Sequence, residues 1–219
     1  MVRDNLARVK KRIEQAAERA GRDPHTVRLI VVTKEAGIDQ MREVVQLGVT
    51  DIGENRVKDA LSKRKLFDSH LLSWHMIGHL QSNKAKDAVR LFSIIHSVDS
   101  VKLAYILDKE AKKNNKIQDI LIEVNTSGEE TKFGVKPNRV ESFLKEARDL
   151  KHINILGLMT MAPLVKDSEM ARPYFKKLKQ LADAYQLKEL SMGMTQDFEV
   201  AIEEGATMVR IGSAIFKNM

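Results

Sequence analysis

A lysine that closes a short apolar run is the residue of this chain best suited to covalent chemistry. Lys34 ends the segment Val27–Lys34, whose β-branched composition predicts a strand buried on both faces. In barrels and open α/β sheets, the carboxyl ends of parallel strands carry the functional residues. Partial desolvation there would lower the pKa of the lysine and leave more of it as the neutral, nucleophilic amine that can form a Schiff base. The alternative is a lysine whose ammonium group simply extends into solvent.

Two later segments have the composition of a phosphate site. Ser191–Thr195 places hydroxyl groups on either side of Gly193, just before a predicted helix. An ordinary capped turn between strand and helix would have the same composition. In the second segment, Arg210 lies inside an apolar strand and needs a partner, while Gly212 and Ser213 offer close backbone approach and a hydroxyl. Together with Lys34, these groups predict a phosphorylated aldehyde bound as an imine.

The other strand ends supply polar groups but few candidate acids or bases. The predicted ends carry Asn55, His75, Ser97, Asn125 and Met159. Asp99 and Glu54 are the nearest carboxylates, and we interpret both as helix-start residues. His75 and His79 have the spacing of a helical metal pair, but Gly78 interrupts it and the preceding residues predict a strand. We therefore expect histidines of the core or of loops, and no metal site.

Strand and helix patterns alternate along the whole chain. A helix is predicted over residues 2–20, and further helices separate the strands, the last of them over 196–204. Eight strands are predicted, at 27–34, 49–53, 72–78, 92–98, 119–125, 152–159, 187–192 and 207–212. This order predicts an α/β fold, a single (β/α)₈ TIM barrel over residues 1–219 with an extra N-terminal helix that takes the place of the eighth outer helix. An open doubly wound sheet is the alternative.

Composition favours a cytoplasmic globular protein. The 219 residues are 43% hydrophobic and 31% charged, with no cysteine, which excludes disulfides and thiolate chemistry. There is no apolar leader and no run long enough to span a membrane. The net charge of +7 is scattered, and we interpret clusters such as Lys63-Arg64-Lys65 as solvated helix faces. With 5% aromatic residues, we expect no nucleic-acid partner.

The motifs taken together strongly resemble those of the pyridoxal phosphate homeostasis protein family, from the first strand almost to the C-terminus. They are Val32-Thr33-Lys34, Gly53-Glu54-Asn55, Trp74–Lys84, His96-Ser97-Val98-Asp99, Gly157-Leu158-Met159, Ser191–Asp197 and Met208–Phe216. Two departures are visible: Glu35-Ala36-Gly37 replaces the more usual threonine-lysine-proline, and the chain ends at Lys217-Asn218-Met219, where relatives often continue.

The resemblance implies a barrel like the N-terminal domain of alanine racemase, with pyridoxal 5′-phosphate (PLP) bound to Lys34 as a Schiff base. It places Arg210 at the pyridine nitrogen, Asn55 beside the cofactor, and Ser191, Thr195, Gly212 and Ser213 around the phosphate. An arginine there keeps the ring nitrogen unprotonated, which weakens the electron sink of PLP chemistry. The second domain that gives racemases their opposing tyrosine base has no counterpart in the motifs.

The expected function is therefore a monomeric PLP carrier in vitamin B6 homeostasis, without catalytic residues and with apo PLP-dependent enzymes as acceptors. The alternative within enzymes is a minimal PLP-dependent amino-acid racemase. The alternative among binding modules is a basic nucleic-acid binder, which would show strongly salt-dependent affinity.

Overall fold

The strands form a closed parallel barrel in a computed structural model that describes residues 1–67 and 71–217. Within that part of the chain, eight strands follow one another around the barrel in sequence order. They are β1 (Arg28–Val32), β2 (Asp51–Glu54), β3 (Ser73–Met76), β4 (Ile94–Val98), β5 (Gln118–Glu123), β6 (Ile153–Met159), β7 (Glu189–Ser191) and β8 (Met208–Ile211). Asn218 and Met219, the end of the C-terminal departure, lie outside the described residues.

Closure depends on β1, which pairs with β2 on one side and with β8 on the other. Val31 is in register with Ile52 of β2, and Ile30 is in register with Arg210 of β8. The predicted TIM barrel is thereby confirmed against the open sheet, which would leave two strand edges unpaired. Lys34, just beyond β1, consequently lies close to the loops that follow β8 and β2.

Helices cover the outside of the barrel. They are α1 (Val2–Arg19), α2 (Ile38–Gln46), α3 (Val57–Arg64), α4 (Ala85–Leu91), α5 (Val101–Lys113), α6 (Val140–Ala147), α7 (Arg172–Ala184), α8 (Phe198–Glu203) and α9 (Ser213–Phe216). The apolar face of α1 packs against α2, α8 and α9. Since α8 follows β7 and α2 follows β1, the extra N-terminal helix takes the place of the eighth outer helix, as predicted.

The apolar core has two parts. The larger one lies between the strands and the surrounding helices, whereas the smaller one fills the barrel interior with Ile30, Ile94, Leu121, Met159 and Met208. Side chains alternate between the two faces of a strand. Residues two positions after those of the smaller core therefore also point inward, closer to the carboxyl-terminal ends of the strands. Leu121 thereby places Glu123 on the inner face of β5, and Ile30 places Val32 and then Lys34 on the inner side of β1.

None of the helices in the described ranges combines the length and the apolar character that crossing a bilayer requires.

Candidate functional site

Lys34 follows β1 at the carboxyl-terminal mouth of the barrel. Half of its side-chain surface is exposed, and its Nζ lies 3.9 Å from Oε1 of Glu35. Val32, two residues earlier, is buried and supports the turn that carries the lysine. The amine is thus accessible from the mouth while its backbone is fixed in the sheet.

A buried ion pair holds the backbone directly before Lys34. The Lys63 ammonium donates to the carbonyl oxygen of Thr33 at 2.5 Å and to Oε1 of Glu54 at 2.7 Å. The Thr33 hydroxyl donates to the same carboxylate oxygen at 2.5 Å. Glu54 is fully buried, and only 12% of the Lys63 side chain is exposed. This network locks the end of β1 to β2 and α3.

Two of our sequence interpretations are corrected by this ion pair. Glu54 is the last residue of β2 and not a helix-start residue, since α3 begins at Val57. Lys63 does not belong to a solvated face, because its aliphatic chain reaches under the mouth and its ammonium group finds a buried carboxylate. The pair is nine residues apart in sequence, and neither residue carried a local signal that it would be buried.

Arg210 lies inside the barrel on β8 and is only 4% exposed. Its Nη1 donates to the Ser191 hydroxyl at 2.5 Å, and its Nη2 donates to the carbonyl oxygen of Thr160 at 3.0 Å. Burial lowers the pKa of Arg210 to about 10, partly opposed by the carboxylates of Asp197 and Glu123. At neutral pH the site therefore contains a fixed, desolvated cation.

Ser191 is fully buried at the end of β7, where its hydroxyl lies between Arg210 and a histidine. Besides accepting from Arg210, its Oγ is 2.8 Å from Nδ1 of His96. Burial, followed by electrostatic interaction with His75 and Arg210, holds the pKa of His96 well below its usual range. When a neutral His96 is protonated on Nε2, its Nδ1 accepts the serine proton, and direct donation from Ser191 to a phosphate would first have to break this bond. Its role toward phosphate remains a prediction.

The loops after β7 and β8 meet at the mouth through two hydroxyl groups. The Ser213 hydroxyl donates to Oγ1 of Thr195 at 3.0 Å. Gly193 has φ +91°, and a Cβ there would lie 2.6 Å from that of Ala201, so both conformation and packing require glycine. At Gly212 a Cβ would lie 2.9 Å from the carbonyl oxygen of Val32. The two loops thus form a hydroxyl-lined edge close to the end of β1.

Asn55 follows β2 on another side of the same mouth. Its backbone is contacted by Gly78, where a Cβ would lie 2.4 Å from the carbonyl oxygen of Asn55. Asn125 instead serves its own loop: its Nδ2 donates to the carbonyl oxygen of Glu129, and its Oδ1 accepts from the amide of Gly128. Asn55 therefore keeps a position at the mouth, whereas Asn125 stabilises the turn after β5.

Glu123 is a buried acid that the sequence interpretation missed. It ends β5, is 3% exposed, and its Oε2 has no hydrogen-bond partner among the described residues. Burial, with a smaller contribution from Asp99, raises the pKa of Glu123 to about 7, against the opposing charge of Arg210. The apolar run that ends in this residue could have suggested it, because an inward carboxyl at a strand end resembles the position of Lys34.

His75, His79 and His96 contact other side chains of the fold. His79 stacks on Phe133 with ring centroids 3.7 Å apart, and its Nδ1 lies 3.2 Å from Oδ2 of Asp99. His75 and His96 are core residues, fully buried and 2.9 Å apart between Nδ1 and Nε2. Across residues 1–67 and 71–217, no group of three or more histidine, aspartate or glutamate side chains is placed to hold a metal ion.

The site combines an accessible amine, a buried cation and a hydroxyl-lined edge around one opening.

The model of the alanine racemase N-terminal domain family matches residues 5–218. A pyridoxal phosphate homeostasis protein of Aquifex aeolicus is 45% identical, with 97% of this chain and 96% of that protein covered. One of Pseudomonas aeruginosa is 36% identical, with 98% and 94% covered.

Solved structures agree with these relationships. PipY of Synechococcus elongatus, solved with PLP bound, is 33% identical with a TM-score of 0.87, covering 99% of this chain and all of that one. Alanine racemase of Clostridium difficile is 15% identical with a TM-score of 0.75, covering 100% of this chain and 56% of the racemase chain. At that identity the racemase shows a shared fold and nothing about activity.

Proposed function

We propose that this chain, which belongs to the pyridoxal phosphate homeostasis protein family, binds PLP as a Schiff base on Lys34 and serves as a carrier of the cofactor. The observation that carries the proposal is the buried Arg210 of β8, whose guanidinium is held by the Ser191 hydroxyl and the Thr160 carbonyl oxygen. Strand β8 pairs with β1, the strand that leads to Lys34. An amine and a fixed cation at the same mouth suit an aldehyde on a ring with a basic nitrogen.

The residues present fit such a ligand. Gly212 allows the loop after β8 to pack closely on the end of β1, because a Cβ there would lie 2.9 Å from the carbonyl oxygen of Val32. Ser213 and Thr195 present hydroxyl groups at the mouth, and the buried Ser97 hydroxyl has no partner within the described part of the chain. Hydroxyl groups and free backbone amides are the usual partners of a phosphate at the loops after strands seven and eight of a barrel. We assign Thr195, Gly212 and Ser213 to the phosphate, and Asn55 to the ring.

A carrier role agrees with the charge around the ring site. When bound, PLP supplies an electron sink that depends on a protonated ring nitrogen. The Arg210 guanidinium is a donor only, so a ring nitrogen bound opposite it would be held unprotonated as an acceptor. Arg210 thus favours binding over amino-acid chemistry, and the curated relatives are named for PLP homeostasis. We extend the proposal to a monomeric, cytoplasmic protein that passes PLP to apo PLP-dependent enzymes.

An absorbance titration tests the binding proposal. PLP added to the protein should produce the visible band of an imine, and Lys34→Ala should lose that band. Lys58→Ala, which changes an exposed lysine of α3, is the matched control and should keep it. A band that persists unchanged in Lys34→Ala would overturn the assignment.

Two further measurements separate a carrier from an enzyme. PLP-loaded protein should restore activity to an apo PLP-dependent enzyme, and sedimentation should report a monomer. Incubation with single L-amino acids, followed by chiral detection, should show no turnover above that of free PLP. Racemisation well above free PLP would instead favour the minimal racemase.

A further inference from the structure

A chain of hydrogen bonds crosses the barrel interior and ends on Arg210. The Ser191 hydroxyl, the first link, contacts Nη1 of Arg210 at 2.5 Å and Nδ1 of His96 at 2.8 Å. Nε2 of His96 is 2.9 Å from Nδ1 of His75. Nε2 of His75 is then 3.0 Å from Oδ1 of Asp51. The five side chains come from β8, β7, β4, β3 and β2.

This chain of hydrogen bonds connects the two ends of the barrel. Ser191 is the last residue of β7 at the carboxyl-terminal end, whereas Asp51 is the first residue of β2 at the amino-terminal end. His75, His96 and Ser191 are fully buried, and 17% of the Asp51 side chain is exposed. Arg28, at the start of β1, lies with its Nε 3.9 Å from the same carboxylate. A surface-accessible carboxylate is thus joined to the buried site through interior groups alone.

The two ends of this hydrogen-bond chain limit the directions that its protons can take. Arginine can only donate and an ionised aspartate can only accept. With both imidazoles neutral, these ends are satisfied when Arg210 donates to Ser191, Ser191 to His96, His96 to His75, and His75 to Asp51. Each neutral imidazole has one proton, so in this arrangement both histidines are protonated on Nε2. Burial would raise the pKa of Asp51, but hydrogen bonds from His75 and Thr50 hold it below its usual range, which keeps the acceptor ionised.

We propose that Asp51, His75 and His96 are positioning residues for Arg210, and that they orient the guanidinium toward the bound cofactor from the opposite end of the barrel. The role toward the cofactor rests on the proposed function. The hydrogen-bond chain holds Nη1 of Arg210 through the Ser191 hydroxyl, while the carbonyl oxygen of Thr160 accepts from Nη2. Because the serine proton points to His96, Ser191 acts on Arg210 in this arrangement and not on the phosphate.

Histidine tautomers test the chain without any ligand. Nitrogen-15 spectra of the imidazoles in wild-type protein should show His75 and His96 neutral and protonated on Nε2 at neutral pH. In Asp51→Asn the amide can donate as well as accept, so the His75 signal should shift toward the Nδ1-protonated form. Wild-type protein with either histidine protonated on Nδ1 would overturn the proposed direction, and this measurement needs no variant to fold.

Cofactor affinity tests the positioning role. Asp51→Asn should weaken PLP binding by roughly three- to tenfold, the size expected for one weakened hydrogen-bonded contact, and should shift the visible band. The matched control is Asp119→Asn, which changes another carboxylate near the start of a strand. Asp119 accepts from Nδ2 of Asn154 at 2.7 Å and takes no part in the hydrogen bonds that lead to Arg210. It should bind PLP within about twofold of wild type.

The outcomes distinguish the two proposals. If Asp51→Asn binds PLP with wild-type affinity and an unshifted band, the positioning role is wrong. If wild-type protein itself binds no PLP, the proposed function fails and the role toward the cofactor fails with it. The histidine tautomers would still report whether the hydrogen bonds that end on Arg210 run in the proposed direction.

Discussion

At the scale of single residues, the site places opposite charges in a dry interior. Arg210, the next-to-last residue of β8, and Glu123, the last residue of β5, both lie on the inner side of the barrel and are almost fully buried. Burial disfavours the charged form of each, which lowers the pKa of Arg210 to about 10 and raises that of Glu123 to about 7. Near neutral pH the arginine keeps its charge, while the glutamate is close to the midpoint of its titration.

Glu123 should make folding stability fall as the pH rises through neutrality. The unfolded carboxyl loses its proton near its ordinary value of 4.5, whereas the folded one keeps it to about 7. The folded state therefore binds the extra proton in this window, and the cost of ionising the folded carboxyl grows to about 3 kcal/mol above it. Glu123→Gln, measured by denaturant unfolding of the protein without PLP, should be more stable than wild type by about 1–3 kcal/mol near pH 8 and almost equal to it near pH 4.5.

The matched control is Glu14→Gln on the exposed side of α1, which should change stability by less than about 0.5 kcal/mol at both pH values. Equal stability of wild type and Glu123→Gln at both pH values would show that the carboxyl is hydrated or paired, contrary to its surroundings here.

At the scale of elements, α3 fixes the end of β1 through a single lysine, Lys63.

Periodicity predicted the presence of the strands and helices well, because buried parallel strands have a continuous apolar composition and α1 has a strongly amphipathic one. Their ends were less predictable: β3 was expected at 72–78 and spans Ser73–Met76, since the last residues leave the ladder at the mouth. The short α9 after β8 was not predicted at all. Lys63 was misassigned because local composition does not show which lysine of a charged run meets a buried carboxylate.

Lys63→Met should be strongly destabilising. It removes the partner of a fully buried carboxylate and leaves Glu54 uncompensated, a change that typically costs about 3–5 kcal/mol. Denaturant unfolding measures the loss. The double variant Lys63→Met/Glu54→Gln should recover part of it, because no buried charge is then left alone.

Lys65→Met, at the exposed end of the same helix, is the control and should remain within about 0.5 kcal/mol of wild type. A Lys63→Met protein as stable as this control would mean that Glu54 is protonated or otherwise satisfied, and that α3 does not anchor the end of β1.

At the scale of the whole molecule, barrel closure creates the site. Lys34 is 176 positions from Arg210 in sequence (210 − 34), yet β1 and β8 are neighbours with Ile30 and Arg210 in register. Strand-end reasoning predicted that Lys34 and the loops after β7 and β8 meet at one mouth, since a barrel gathers all carboxyl ends on one side. It was wrong for His75, which is buried in the interior and contacts Asp51 at the opposite end. It could not predict the hydrogen bonds that cross the interior, such as those of His75 and His96, because these depend on the register and tilt of five strands together.

The most direct test of the central claim is to trap the bound cofactor covalently. PLP-loaded protein is reduced with borohydride, which converts an imine into a stable secondary amine, and digested peptides are mapped by mass spectrometry. The account predicts one pyridoxyl-modified peptide, carrying the label on Lys34, in stoichiometric yield. A label found mainly on another lysine, such as Lys63 or Lys132, or spread over surface lysines with none on Lys34, would contradict it.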